Sequence, residues 1–333
     1  MSVTLDSAAR TPAGSACAQS GDLSPAALLY ELEPVVEANL NRHLATAKEW
    51  FPHSYVPWSD GENFDGPLGG TAWEVGQSKL DETARTSMIL NLLTEDNLPS
   101  YHHEIAVLFG RDGAWGSWVH RWTAEEGRHG AAIRDYLLTT RAVDPIALER
   151  ARMVHMSAGY HSPNADGAVN SIAYVSFQEF ATRISHRNTG SYSGEPLCDA
   201  LLQKIATDEN LHMIFYRNLL NAALDIAPDQ TMVAILDVVK NFQMPGASVE
   251  NYTRKSVQIA LAGIYNLRIH RDEVLVPVLR NVKAFERGGF GPAGEAAREE
   301  LAQIMSALDS AAARFEEKAA VVLARKAARA DNG

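Results

Sequence analysis

Two short motifs in this chain pair a carboxylate with an imidazole three residues further on. They are Glu126 with His129 inside RWTAEEGRHG, and Glu209 with His212 inside ATDENLHMIFYRNL. On a helix, positions i and i+3 share a face, so each pair can grip one cation. Two such pairs are unremarkable by composition; their surroundings are not. Glu95 stands 31 residues before Glu126, and Glu179 stands 30 before Glu209, so the chain reads Glu, then Glu-x-x-His, twice, at an offset of 83–84 residues. Each lone Glu falls in an apolar stripe: Glu95 follows Met88 and Leu92, and Glu179 follows Ile172 and Val175. Burying an unpaired carboxylate costs several kcal/mol. Four of them would overwhelm a domain stable by about 5–15 kcal/mol. Two divalent cations would balance the four charges. Oxygen and imidazole donors that leave coordination positions open suit Fe(II) and chemistry with dioxygen.

Four helices have to position these six residues. Apolar residues recur at intervals of three and four over 81–110, 114–140, 168–188 and 197–223, the period of an amphipathic helix. Ser24-Pro25 and Asp144-Pro145 each read as an N-cap followed by proline at the first helical position. Asp229 after Pro228 reads as a third cap. Further helices are expected over 229–243, 250–264, 271–286 and 294–328, the last Ala/Glu/Lys/Arg-rich and expected to project. Residues 50–78, rich in Trp, Pro, Gly and Asp, read as a long loop coating the body. Sustained two-residue alternation is nearly absent, so the fold class is all-α. Four Glu and two His from four helices form the ligand set of a ferritin-like di-iron bundle, here with additional flanking helices. The chain divides into a disordered tail (1–22), a ferritin-like di-iron domain (23–290) and a C-terminal helix and tail (291–333).

Composition narrows the function. Lys+Arg 30 against Asp+Glu 41 gives a net charge of −11, against a nucleic-acid-binding face. No apolar run approaches the length of a membrane span, and the N-terminus lacks the apolar stretch of a secretory signal. Cys17 and Cys198 are the two cysteines, too few for a disulfide framework or a cysteine zinc site. A cytoplasmic protein is expected. Nine further histidines (His43, His53, His102, His103, His120, His155, His161, His186 and His270), with Glu104 and Glu125, read as surface, capping or structural residues.

The segments TEDNLPSY (94–101), RWTAEEGRHG (121–130), YVSFQEFATRISHRNTG (174–190) and ATDENLHMIFYRNL (206–219) resemble those of the soluble acyl-acyl-carrier-protein desaturases, the stearoyl-ACP desaturase family. The likeness spans about residues 30–290 and is nearest the actinobacterial branch. It implies an O2-dependent enzyme that places a cis double bond in an acyl chain carried on acyl carrier protein. It implies two iron ions per chain, ferredoxin as electron donor and a homodimer. The iron ligands would be Glu95, Glu126, His129, Glu179, Glu209 and His212, with Glu126 and Glu209 as bridges. Thr182 would stand beside the iron site. Trp50 and Asp208, with His129, would form a hydrogen-bonded route from the surface to iron. Asp208 points about 100° away from the face of Glu209, which suits a partner of His129 better than a ligand. Gly127 departs from the family, which usually has Asn there, and leaves rigidity beside Glu126 in question.

Val107, Leu108 and Ile172 are expected to line a tunnel for the acyl chain. An acidic carrier needs a local basic surface. The segment 254–287 offers Arg254, Lys255, Arg268, Arg271, Arg280, Lys283 and Arg287 against Asp272, Glu273 and Glu286. Alternatives share the ligand set. A ribonucleotide reductase small subunit would carry a tyrosine one turn after the first histidine, where this chain has Ile133. A related di-iron oxygenase acting on a carrier-bound or small molecule of secondary metabolism remains open. So do an iron store and a helical scaffold, although a scaffold has no reason to align six ligands.

Overall fold

The computed structural model describes residues 22–160, 167–246 and 249–330. The expected N-terminal tail, with Cys17, and His161 lie outside the described residues, apart from residue 22. The helices are α1 Pro25–Thr46, α2 Glu82–Asp96, α3 Leu98–Phe109, α4 Gly113–Thr139, α5 Pro145–Ala158, α6 Ala168–Ser193, α7 Pro196–Ile226, α8 Pro228–Asn241, α9 Tyr252–Leu261, α10 Leu267–Ile269, α11 Val276–Asn281 and α12 Pro292–Ala330. Among the described residues the only β-pairing is an isolated bridge, Phe64 with Thr71. The all-α, ferritin-like expectation holds, and no described helix is long and apolar enough to cross a membrane.

Local chemistry sets the helix ends. Ser24 and Asp144 cap α1 and α5 through their side-chain oxygens, with proline following each, so Asp144-Pro145 opens a helix that periodicity alone did not mark. Asp229 is not a cap. It sits in the first turn of α8 after Ala227 and accepts the Gly291 N–H at 2.7 Å. The stretch 81–110 is two helices. It breaks at Asn97, because Pro99 at the start of α3 has no N–H to continue the ladder. The segment expected over 271–286 is a π-turn, His270–Leu275, running into α11. Pro277 again removes the donor that would close a regular turn.

The bundle core is α2, α4, α6 and α7, with α1 laid across α4 and α7. On α4 the buried stripe runs Trp115, Trp118, Trp122, Glu126, His129, Ile133, Tyr136, and on α7 it runs Ile205, Glu209, His212, Tyr216, Leu219. The carboxylates and imidazoles therefore occupy core positions in otherwise apolar rows. Gly130 makes one close approach possible: a Cβ there would meet the Cβ of Glu95 at 3.4 Å, so α2 reaches α4 where Glu95 enters. Gly127 leaves α4 unbroken past Glu126. The first half of α12 packs on α8, burying Ala297, Leu301 and Met305 on one face, and the exposed Val321, Val322 and Leu323 lie toward its far end. The 61–77 coat is pinned by the buried Arg141, whose guanidinium donates to the carbonyls of Glu62, Asn63, Thr71 and Ala72 and to Gln77.

Candidate metal centre

All six residues picked out by spacing converge at the middle of the four-helix core, and all are buried. Glu95, Glu126, His129 and Glu209 form one group of donor atoms within 4.8 Å of one another, and Glu126, Glu179, Glu209 and His212 form a second. Glu126 and Glu209 belong to both groups, the position of shared ligands between two cations. Both histidines turn Nδ1 inward. His129 Nδ1 lies 3.5 Å from Glu126 and 3.2 Å from Glu209. His212 Nδ1 lies 2.8 Å from Glu126 and 3.6 Å from Glu179.

Whether these residues fit metal can be tested on their hydrogen bonds. His129 Nδ1, His212 Nδ1, Glu126 Oε1, Glu179 Oε2 and both oxygens of Glu209 are buried without a hydrogen-bond partner. His212 Nδ1 and Glu126 Oε1 stand 2.8 Å apart yet fail to bond, as expected of two donor atoms aimed at a common third point. Each orphaned buried polar atom costs about 1–3 kcal/mol, so their concentration here fits a pair of cations. Without metal the charges are unevenly held. Burial, reinforced by Glu126, pushes Glu95 and Glu209 well above the usual carboxylate range. Burial also opposes charge on Glu126, but His129 and His212 outweigh it and hold Glu126 low.

The polar surroundings repeat with the motif. Asp208 Oδ2 accepts the Trp50 indole N–H at 2.6 Å and Arg128 at 2.7 Å, with His129 Nε2 at 3.3 Å, and Lys204 reaches Oδ1 at 3.2 Å. The Trp50–Asp208–His129 chain expected from the resemblance thus exists as a run of contacts. Thr182 is different. It lines the neighbouring cavity, but its hydroxyl donates to the Gln178 carbonyl at 3.0 Å and accepts from the Gln178 amide at 2.9 Å, so it is tied to Gln178 rather than to a carboxylate of the centre.

Three residues read from sequence as structural are part of the centre's surroundings. Glu125 Oε2 accepts from His212 Nε2 at 2.8 Å and from His43 Nε2 at 2.9 Å. His186 Nε2 lies 2.8 Å from Glu95 Oε1, within hydrogen-bonding distance, and burial, with His129, pushes His186 down to about 3. Glu125 was legible in principle: an acidic residue precedes the Glu of both Glu-x-x-His motifs, Glu125 before Glu126 and Asp208 before Glu209. No comparable signal marks His43 or His186.

Glu95, Glu126 and Glu179 form part of the wall of a cavity whose lining includes Leu98, Ile105, Leu108, Trp122, Val175 and Met244. Of the expected tunnel residues, Leu108 lines it. Val107 points to solvent, one residue and about 100° around α3, and Ile172 is buried in the core rather than on the lining. The basic stretch is smaller than expected. Arg268 pairs with Asp309 and Glu316, Arg271 with Asp272, and Arg287 with Asp225. Acidic partners on α7 and α12 are invisible within 254–287. Among the described residues Arg254, Lys255, Arg280 and Lys283 remain without an ion pair.

A ferritin-like bundle with a buried carboxylate–histidine centre beside a cavity is the class that fold and site define. A family model described as fatty acid desaturase matches residues 25–331, and the chain belongs to that family. It is 52% identical over 305 residues to the Mycobacterium tuberculosis protein named acyl-[acyl-carrier-protein] desaturase DesA1, covering 89% of this chain and 90% of that one. It is 26% identical to the chloroplastic stearoyl-[acyl-carrier-protein] 9-desaturase of Gossypium hirsutum, over 88% of this chain and 77% of that one. The X-ray structure named for the acyl-ACP desaturase DesA2 of M. tuberculosis H37Rv superposes with a TM-score of 0.63 at 35% identity, covering 77% of this chain and 99% of that chain.

Proposed function

We propose that this chain is an oxidoreductase that uses O2 to introduce a cis double bond into an acyl chain carried on acyl carrier protein, with two iron ions per chain. The observation that carries the reading is the pair of donor groups sharing Glu126 and Glu209, three of whose carboxylates, Glu95, Glu126 and Glu179, line a neighbouring cavity. Its relatives' names and its family support the reaction class. Glu95 and His129 would hold one iron, Glu179 and His212 the other, and Glu126 and Glu209 both. When bound, the iron pair supplies the oxidising power toward dioxygen and an unactivated methylene, for which no side chain offers an acid or base handle.

The protein's own part is placement. The cavity's apolar side chains exclude water and hold the alkyl chain along the carboxylate wall, while Trp122 donates its indole N–H to Glu179 at 3.0 Å and fixes that carboxylate. Trp50 and Asp208 hold the His129 ring from the outer side and give electrons a short bonded path inward, with ferredoxin as their source. Thr182, one turn beyond Glu179, shapes the cavity wall through its bond to Gln178. Exposed Arg280 and Lys283 receive the acidic carrier. The enzyme works as a cytoplasmic homodimer, each chain holding its own centre. The test is mass spectrometry of acyl carrier protein loaded with a panel of saturated acyl chains and incubated with iron-loaded protein, reduced ferredoxin and O2. An acyl product lighter by two hydrogens is expected; a product gaining oxygen instead would assign the chain to oxygenation.

A further inference from the structure

The two inward-facing histidines are held from behind by matching but unequal clamps. Behind His129, the single oxygen Asp208 Oδ2 receives Trp50, Arg128 and His129, and His129 is the most distant of the three at 3.3 Å. A carboxylate oxygen has two lone pairs, so the third donor is the weakly held one. Behind His212, Glu125 Oε2 receives only two imidazoles, His212 at 2.8 Å and His43 at 2.9 Å, while Arg121 occupies the other oxygen. His43 is itself fixed, edge-on to Trp118 with ring centroids 5.1 Å apart and stacked on His212 at 5.8 Å. With Nε2 turned back to Glu125, the His212 ring presents Nδ1 to Glu126 at 2.8 Å and to Glu179 at 3.6 Å.

We propose that Glu125, clamped by His43 and Arg121, is the positioning residue of His212, and that it makes the half-site of Glu179 and His212 the tighter of the two metal positions. The inference rests on the metal-centre reading above. Partners that orient a ligating imidazole are worth about ten- to a hundredfold in metal affinity. The test is an anaerobic Co(II) titration of the full chain, followed by visible absorbance and by metal analysis after gel filtration. Wild-type protein should take up two Co(II) in two resolved steps. In Glu125→Gln the tighter step should weaken by about ten- to a hundredfold while the weaker step persists. Asp208→Asn should change the weaker step alone. His43→Ala, which leaves the Glu125 carboxylate in place, should weaken the tighter step by more than about threefold and decides the matter if Glu125→Gln does not fold. A merely structural role would lower the melting temperature of metal-free protein without changing the ratio of the two steps. Equal weakening of both steps in Glu125→Gln, or an unchanged tighter step in His43→Ala, would overturn the proposal. Wild-type protein that binds no Co(II) would instead refute the metal-centre reading.

Discussion

Loading the centre with two divalent cations must expel protons, and the structure sets roughly how many. In metal-free protein, burial first and Glu126 second raise Glu95 and Glu209 well above the usual carboxylate range, so both favour the protonated form. Burial opposes charge on His129 and His212, yet the carboxylates around them outweigh it and hold both well above the ordinary histidine value of 6.5. A proton held on either ring has to leave when metal takes Nδ1, the nitrogen that faces the carboxylates. Ligation needs ionised carboxylates and a bare Nδ1, so up to about four protons leave each chain as it fills. The sign follows: protons are products of binding, so affinity rises with pH. The overall log K for two cations should climb by up to about four per pH unit while all four groups remain protonated in the metal-free state. Calorimetric titration of the protein with Co(II) in two buffers of different ionisation enthalpy gives the proton count directly. Release of fewer than about one proton, or affinity that falls with rising pH, would refute this account of how the empty centre holds its charge.

Three further outcomes are expected. Trp50→Phe keeps the packing but removes the N–H that Asp208 accepts at 2.6 Å; stopped-flow reduction of the oxidised centre by ferredoxin should slow while reduction by a small chemical reductant does not, and equal rates for wild type and variant would make Trp50 a packing residue. Gly127→Ala should raise unfolding stability by about 1 kcal/mol in a denaturant titration, because a Cβ there meets only Leu98 at an ordinary 3.6 Å; destabilisation would mean that α4 needs glycine at this turn. Reversing Arg280 and Lys283 to Glu should weaken carrier-protein binding at low salt and flatten its salt dependence, measured by fluorescence anisotropy; unchanged affinity would remove this patch as the carrier's landing site.

The six central residues were legible in the sequence because two of the contacts are local. An i, i+3 pair on a helix is written in consecutive residues, and the repeat of Glu then Glu-x-x-His at a fixed offset points to four helices meeting at one place. What surrounds them is not local. His43 and Glu125 are 82 residues apart and His186 and Glu95 are 91 apart, and helical period says only that such residues face inward, not whom they meet there. Glu125 shows the intermediate case: its place before Glu126 mirrors that of Asp208 before Glu209, so the repeat carried a signal. The break at Asn97 was likewise written in Pro99. The pairing of Arg268 with Asp309 and Glu316 was not, because it depends on α12 folding back over the body, which no window of sequence states.

The central claim is that Glu126 and Glu209 join two metal positions into one di-iron centre. Iron per chain, measured by elemental analysis on anaerobically reconstituted and gel-filtered protein, tests it most directly. The structure predicts two irons per wild-type chain and a clear loss in both Glu126→Ala and Glu209→Ala, because each variant removes a donor common to both groups. Two irons retained in either variant would contradict the shared-ligand centre.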